Sequence, residues 1–264
     1  MTKRVGLAII GITVIAAVFG PWILPADPSV QQLPARLAGP SWAHPFGLDE
    51  LGRDILARLL VGARISLLVG IAVVSISATV GIAVGSIAGY RGGWLDDGIG
   101  RVMDVLLAFP GILLAIALVA ALGPSLEHVV LALVSIGWVS YARLVRGQVL
   151  KIRELDYVQS ARALGAKGSR IVIKHVIPAT LSSVVVQATL GMGGAIIAEA
   201  SLSFLGLGVQ PPTPSWGTML DAGRSHLFDA PHLTLFPGAA IAILVLGFNF
   251  AGDALRDSLD QRAT

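Results

Sequence analysis

The sequence predicts an all-α, polytopic membrane protein with six transmembrane helices and both termini on the cytoplasmic side. Three observations carry that prediction. Of 264 residues, 55% are apolar and only 13% are charged, where average globular chains carry roughly 25% charged residues. Mean hydropathy is +0.79, so most of the surface this composition builds must face lipid. Finally, the stretches 5–26, 65–90, 105–126, 175–198 and 230–252 hold no Asp, Glu, Lys or Arg and run 22 to 26 residues. A hydrocarbon core of about 30 Å takes about 20 residues of helix.

The first span follows Lys3 and Arg4. It is long for the apolar part of a signal peptide and closes on Pro21-Trp22-Ile23-Leu24-Pro25 without a small-x-small cleavage site, so it reads as an uncleaved anchor. Residues 25–63 carry Pro25, Pro28, Pro34, Pro40 and Pro45 and cannot form one helix. Their end has apolar residues at 51, 55, 56, 59 and 60, the spacing of an amphipathic helix on the outer surface that leads into span two. Span two carries a small-residue row, Gly70, Ser75, Ser77, Gly81, Gly85 and Gly89, of the kind that lets helix backbones approach closely. Span three is 105–126. Span four runs from Val129 to about Val149, with Arg143 and Arg146 near its end, where long side chains reach headgroups. Span five is 175–198. The next uncharged stretch, 200–220, is broken by Gly206, Gly208, Pro211, Pro212 and Pro214 and carries Trp216; it reads as interfacial or re-entrant. Span six is 230–252. Two regions result: 1–63, an anchor with an extracytoplasmic segment, and 64–264, a core of five spans.

Orientation follows from the basic residues. With the N-terminus inside, 14 of the 19 Lys and Arg fall on cytoplasmic segments, eight of them between Arg143 and Lys174. Arg36, Arg53, Arg58, Arg64 and Arg224 lie outside. That bias is the usual one for cytoplasmic loops, and it accounts for the net charge of +3 without a nucleic-acid partner. The absence of cysteine excludes disulfides, iron-sulfur clusters and thiol nucleophiles. Paired intramembrane aspartates, a Ser/His pair and H-E-x-x-H are lacking within the spans, which argues against a membrane protease. A channel would fit the glycine rows alone.

The densest charge lies at 151–178, between spans four and five. Local rules let Asp156 cap a short helix with Gln159 as capping-box partner, Gly165 end it, and Ser169 cap a second short helix. The first would expose Tyr157, Val158, Ala161 and Leu164 at helical spacing. An apolar face with no domain to cover it calls for a protein partner.

The run Gln159-Ser160-Ala161-x3-Gly165, followed by His175-x-Ile177-Pro178, resembles the EAA loop of binding-protein-dependent ABC importer permeases, with Gln159 and Ser160 where Glu and Ala are usual. Phe46-Gly47-Leu48-Asp49-Glu50-Leu51-Gly52-Arg53-Asp54, Gly62-Ala63-Arg64-Ile65-Ser66-Leu67, the stretch from Ser203 to Gly217, and Asn249-x3-Asp253-x-Leu255-Arg256-Asp257 are similar to the C-type permeases of dipeptide, oligopeptide and nickel importers. The resemblance implies the type I ABC importer permease fold, in the bacterial inner membrane. It implies as partners a second homologous permease, two ATP-binding subunits and an extracytoplasmic solute-binding protein. On this reading Tyr157, Val158, Gln159, Ser160, Ala161, Leu164 and Gly165 form the ATPase-coupling site. The chain itself is no enzyme and binds no cofactor: Gly165-Ala166-Lys167-Gly168-Ser169 lacks the Gly before Lys of a G-x-x-x-x-G-K-S/T loop, and ATP and Mg belong to the partners. Peptides are the favoured cargo, nickel or another small solute the alternative.

Among single residues, Glu199 is an ionisable group within apolar sequence and a candidate translocation gate, with a structural hydrogen bond as the plainer reading. Asp104 and Asp253 fall at span ends, where solvated roles are expected. His44, His128, His175, His226 and His232 are scattered and form no ligand spacing. Met103, Met192 and Met219 read as packing residues.

Overall fold

The computed structural model describes residues 2–23 and 27–260. Ten α-helices follow one another: α1 (Thr2–Ile23), α2 (Ile55–Arg91), α3 (Gly93–Ala108), α4 (Gly111–Leu122), α5 (Leu126–Ile152), α6 (Asp156–Ala163), α7 (Gly168–Ile171), α8 (Ile177–Phe204), α9 (Trp216–Gly223) and α10 (His232–Asp260). Among the described residues the extended pairing is limited to the bridge between Leu48 and Asp54. Among the described residues five helical units are long and apolar enough to cross a bilayer, and α3 with α4, bent by 86°, make a sixth when the pair is taken as one broken span. The chain is a multi-pass membrane protein. Arg262 and the end of the first apolar stretch, residues 24–26, lie outside the described residues.

Helices α2 and α5 form the most extensive pair, and the glycine row explains it. A Cβ at Gly81 or Gly85 would collide with the Tyr141–Ala142 backbone or Val145, and one at Gly89 would lie 2.9 Å from the Val149 Cβ. The glycines let the two backbones touch. Helix α8 packs against α2, α5 and α10, while α1 covers α10 and α2. Met103, Met192 and Met219 are buried packing residues.

Three expectations are corrected. The surface helix expected before span two is the first part of α2 itself. At 37 residues that helix is about 55 Å long at 1.5 Å per residue, so it crosses the core and continues beyond it. Residues 49–53 lie outside any helix: Asp54 caps α2 by accepting from the Ala57 N–H at 2.9 Å, and Gly52 takes φ +73°. Second, the stretch 105–126 is no continuous span. Pro110 has no N–H to give, Phe109 before it is extended at φ −93°, ψ 138°, and α4 restarts at a new angle. Its 12 residues reach only about 18 Å. Third, Arg143 and Arg146 point to carboxylates of α3. Arg146 grips Asp96 with two N–H groups, Nη2 to Oδ2 at 2.7 Å, and Arg143 pairs with Asp104. The stretch 200–220 behaves as expected for a non-spanning segment: it leaves α8, turns through a proline loop and ends in α9. Trp216 Nε1 donates to the Leu59 carbonyl at 3.0 Å and pins α9 to α2.

Residues 46–54 pack against the start of α2 and against α10. Phe46 stacks on Phe236 with centroids 4.1 Å apart. Asp49, buried, accepts from Arg53 Nε at 2.7 Å and sits 3.4 Å from Arg58 Nε.

Candidate coupling helix and transport pathway

Helix α6 stands at the end of the bundle opposite the 27–54 segment. Its start differs in detail from the expectation. Leu155 occupies the cap position without a side-chain bond, and Asp156 falls in the first turn, where a carboxylate favours the positive end of the helix dipole. Gln159 makes no capping box. Its Nε2 donates to the Arg153 carbonyl at 3.0 Å, a bond that a carboxylate at this position would be unable to donate. Gly165 ends the helix as expected, at φ +81°. The second short helix is the start of a longer one: α7 passes through a π-helical turn at Val172–Val176 into α8. The wider turn precedes Pro178, whose ring would clash with the carbonyl four residues earlier in a regular α-helix. Ser169 lies inside α7, whose cap position is held by Lys167.

The apolar residues expected on one exposed face are divided. Val158 is fully buried and Ala161 half-buried, in the same cluster as Ile152, Ile171 and Tyr90. Tyr157 and Leu164 stay exposed, Leu164 to 89%, and Ser160 and Gly165 are exposed beside them. Helix α6 is thus amphipathic toward its own protein, and what remains outside is a smaller patch of Leu155, Tyr157, Ser160 and Leu164.

Contacts on and beside α6 reach three long helices. Arg162 lies over the Tyr90 ring of α2 at 5.7 Å. Arg153, at the end of α5, donates from Nη1 to the Gly89 carbonyl at 2.8 Å. The Tyr157 ring meets His175, in the turn leading to α8, at 5.9 Å between centroids.

Glu199 sits toward the other end, fully buried. Ser203 donates to its Oε1 at 2.7 Å and Ser66 of α2 to its Oε2 at 3.3 Å. The carboxylate therefore joins α8 to α2, with hydroxyls as its hydrogen-bond partners.

Between α2, α4, α5 and α8 lies a cavity of about 270 Å³, walled by small and apolar residues including Val73, Gly111, Ile136 and Gly194. Glu199 does not border it. Ser77, Ser140, Tyr141 and Gln187 supply its polar groups. Sequence reasoning places none of these four in a site, because each lies in a span with no motif around it; Ser77 enters only as a member of the packing row.

A family model described as "Binding-protein-dependent transport system inner membrane component" matches residues 81–264, and one described as "N-terminal TM domain of oligopeptide transport permease C" matches residues 4–40. The chain belongs to the binding-protein-dependent transport permeases. The dipeptide transport system permease protein DppC of Alkalihalophilus pseudofirmus is 46% identical over 98% of this chain and 85% of its own length. The glutathione transport system permease protein GsiD of Shigella dysenteriae is 48% identical over 94% of this permease and 82% of that protein. A chain from the inward-facing structure of the MetNI methionine ABC transporter superposes with a TM-score of 0.61 at 19% identity, covering 76% of this chain and 95% of that one. The shared fold is that of a type I ABC importer permease.

Proposed function

We propose that this permease forms half of the translocation unit of an ATP-driven importer of di- and oligopeptides in the bacterial plasma membrane, and that α6 couples it to ATP-hydrolysing partners. One observation carries the coupling role: α6 keeps Ser160 and Leu164 exposed while its Arg162, Gln159 and Tyr157 side chains contact α2, the end of α5 and the turn before α8. A partner that moves α6 moves all three helices. ATP and Mg bind on the partner subunits, whose closure displaces α6 and switches the bundle between two arrangements. The peptide cargo is supported by the relatives named for dipeptide and glutathione transport. A second permease, two ATPases and an external binding protein complete the machine, with both termini and α6 on the cytoplasmic side. At the opposite end, Glu199 serves as the gate joint: opening there parts α8 from α2 and breaks its bond to Ser66.

Two measurements test the proposal. In proteoliposomes holding the full transporter, a labelled di- to pentapeptide series is competed against nickel. ATP-dependent peptide accumulation is expected, and nickel accumulation unaffected by peptide would transfer the chain to a metal importer. Leu164→Glu should leave the amount of permease in the membrane unchanged and abolish uptake, because a charge in a desolvated contact costs more than the contact returns. Unchanged uptake by this variant would remove α6 from the coupling role.

A further inference from the structure

At the outer end of the bundle two arginines carry more hydrogen-bonding capacity than the protein uses. Arg53 and Arg58 are 9% and 6% exposed and share one carboxylate, Asp49. Arg53 gives its Nε to Asp49 Oδ2 at 2.7 Å, and Arg58 gives Nη1 to the Pro28 carbonyl at 3.5 Å. Both Nη groups of Arg53 and the Nη2 of Arg58 meet no acceptor among the described residues, and none of the three is sealed in the interior. A guanidinium group is always charged and has five N–H donors, and buried charges are ordinarily paired and hydrogen-bonded. Two such groups on one carboxylate leave a positive charge over. Glu50, beside Asp49 in the chain, forms an ion pair with neither.

Both arginines border a cavity of about 390 Å³, within the range of roughly 300–1,000 Å³ of small-molecule sites. Its walls come from the two sides of a seam: Arg58 of α2 and residues 50–53 on one, Ser203 of α8, the proline loop and α9 on the other. Ser203 also donates to Glu199, whose second oxygen accepts from Ser66 of α2. An occupant of the cavity therefore rests beside the joint between α8 and α2. The lining holds both signs of charge, since Glu50 and Asp221 face the same space. Asp221 is paired with Arg224 at the surface, which leaves Glu50 as the free carboxylate. A molecule with a carboxylate at one end and an ammonium group at the other meets a counter-charge for each in place of the water it loses. We propose that this cavity is the outer entry site of the permease, where the free N–H groups of Arg53 and Arg58 hold the C-terminal carboxylate of the peptide cargo and Glu50 takes its ammonium group. The inference rests on the peptide-importer reading and adds to it a cargo site within this chain.

The test uses the complete transporter in proteoliposomes and compares uptake of a dipeptide with that of its C-terminal amide, which keeps the ammonium group and lacks the carboxylate. Because the binding protein is the same throughout, a change in the acid-to-amide preference between variants reports on the permease. Arg53→Lys keeps a cation for Asp49 and removes the fork of donors; it should reduce that preference about tenfold, the equivalent of one charge-assisted hydrogen bond. Arg36→Lys is the control: Arg36 is exposed on the same outer segment and does not border this cavity, and its replacement should leave the preference unchanged. Glu50→Gln disturbs no ion pair and tests the other end: the preference for a free amino terminus over an N-acetylated one should fall about tenfold, with the acid-to-amide preference retained. An acid-to-amide preference in Arg53→Lys equal to wild type overturns the entry site and leaves the importer reading standing; if uptake of acid and amide falls together, the arginines serve the binding protein instead. An unchanged amino-terminal preference in Glu50→Gln overturns the two-ended site in the same way. A wild-type transporter that accumulates another solute but no peptide overturns both readings.

Discussion

At Gly165 the backbone takes φ +81°, and an added Cβ would meet nothing within 4 Å. The glycine is there for its dihedral angle, not for space. A residue with a Cβ pays about 1–2 kcal/mol in that conformation, and Asn is the side chain that tolerates it best. Gly165→Asn should therefore retain more uptake per ATP hydrolysed than Gly165→Val, although both side chains fit. Equal loss in the two would point to a steric contact with a partner instead. Glu199 poses the opposite case, a buried carboxyl group held by hydroxyls. Glu199→Gln preserves the shape and most of the bonding. Glu199→Leu strands the Ser66 and Ser203 hydroxyls at about 1–3 kcal/mol for each orphaned group, and a lower thermal midpoint in detergent should separate it from Gln. A Leu variant as stable as Gln would show that the serines find other partners.

At the scale of elements, the break between α3 and α4 decides where the cavity wall stands, since Gly111 and Ile112 at the start of α4 line it. Pro110 accounts for the break locally, while the packing of α4 on α5 through Ala115, Val119, Val129 and Ala132 acts in the same direction. Pro110→Ala separates the two. The chain holds no cysteine, so paired spin labels at Leu106→Cys and Ala117→Cys report the bend without background. A longer label distance in the Pro110→Ala background is expected if the proline sets the angle. An unchanged distance would assign the 86° bend to tertiary packing. Pro110 was visible in the sequence, yet the uncharged run around it satisfied the length of a span, and length alone cannot report a turn. The same ambiguity hid the union of the expected surface helix with span two: its apolar stripe was legible, but the continuation to Arg91 depends on α5 and α8 covering it.

For the whole molecule, the proposed coupling makes α6 the point where motion enters and places its effects along α2, near Tyr90 at one end and at Ser66 with Glu199 toward the other. Composition and the spacing of charges determined by themselves that the chain is a helical, multi-pass membrane protein, because the cost of unpaired backbone and of charge in hydrocarbon acts on every residue independently. Motif order likewise marked the loop at 151–178 and the stop at Gly165, since turn chemistry is local. Only the tertiary structure decided which face of α6 is free. Val158 and Leu164 are equally apolar, and burial of one and exposure of the other depend on where Tyr90, Ile152 and Ile171 converge from distant parts of the chain. Nor does sequence show that Arg143 and Arg146 meet aspartates of α3, or that Ser77 is left without a partner. Pairing is a property of positions in space, and the residues that share a cavity here come from four different helices.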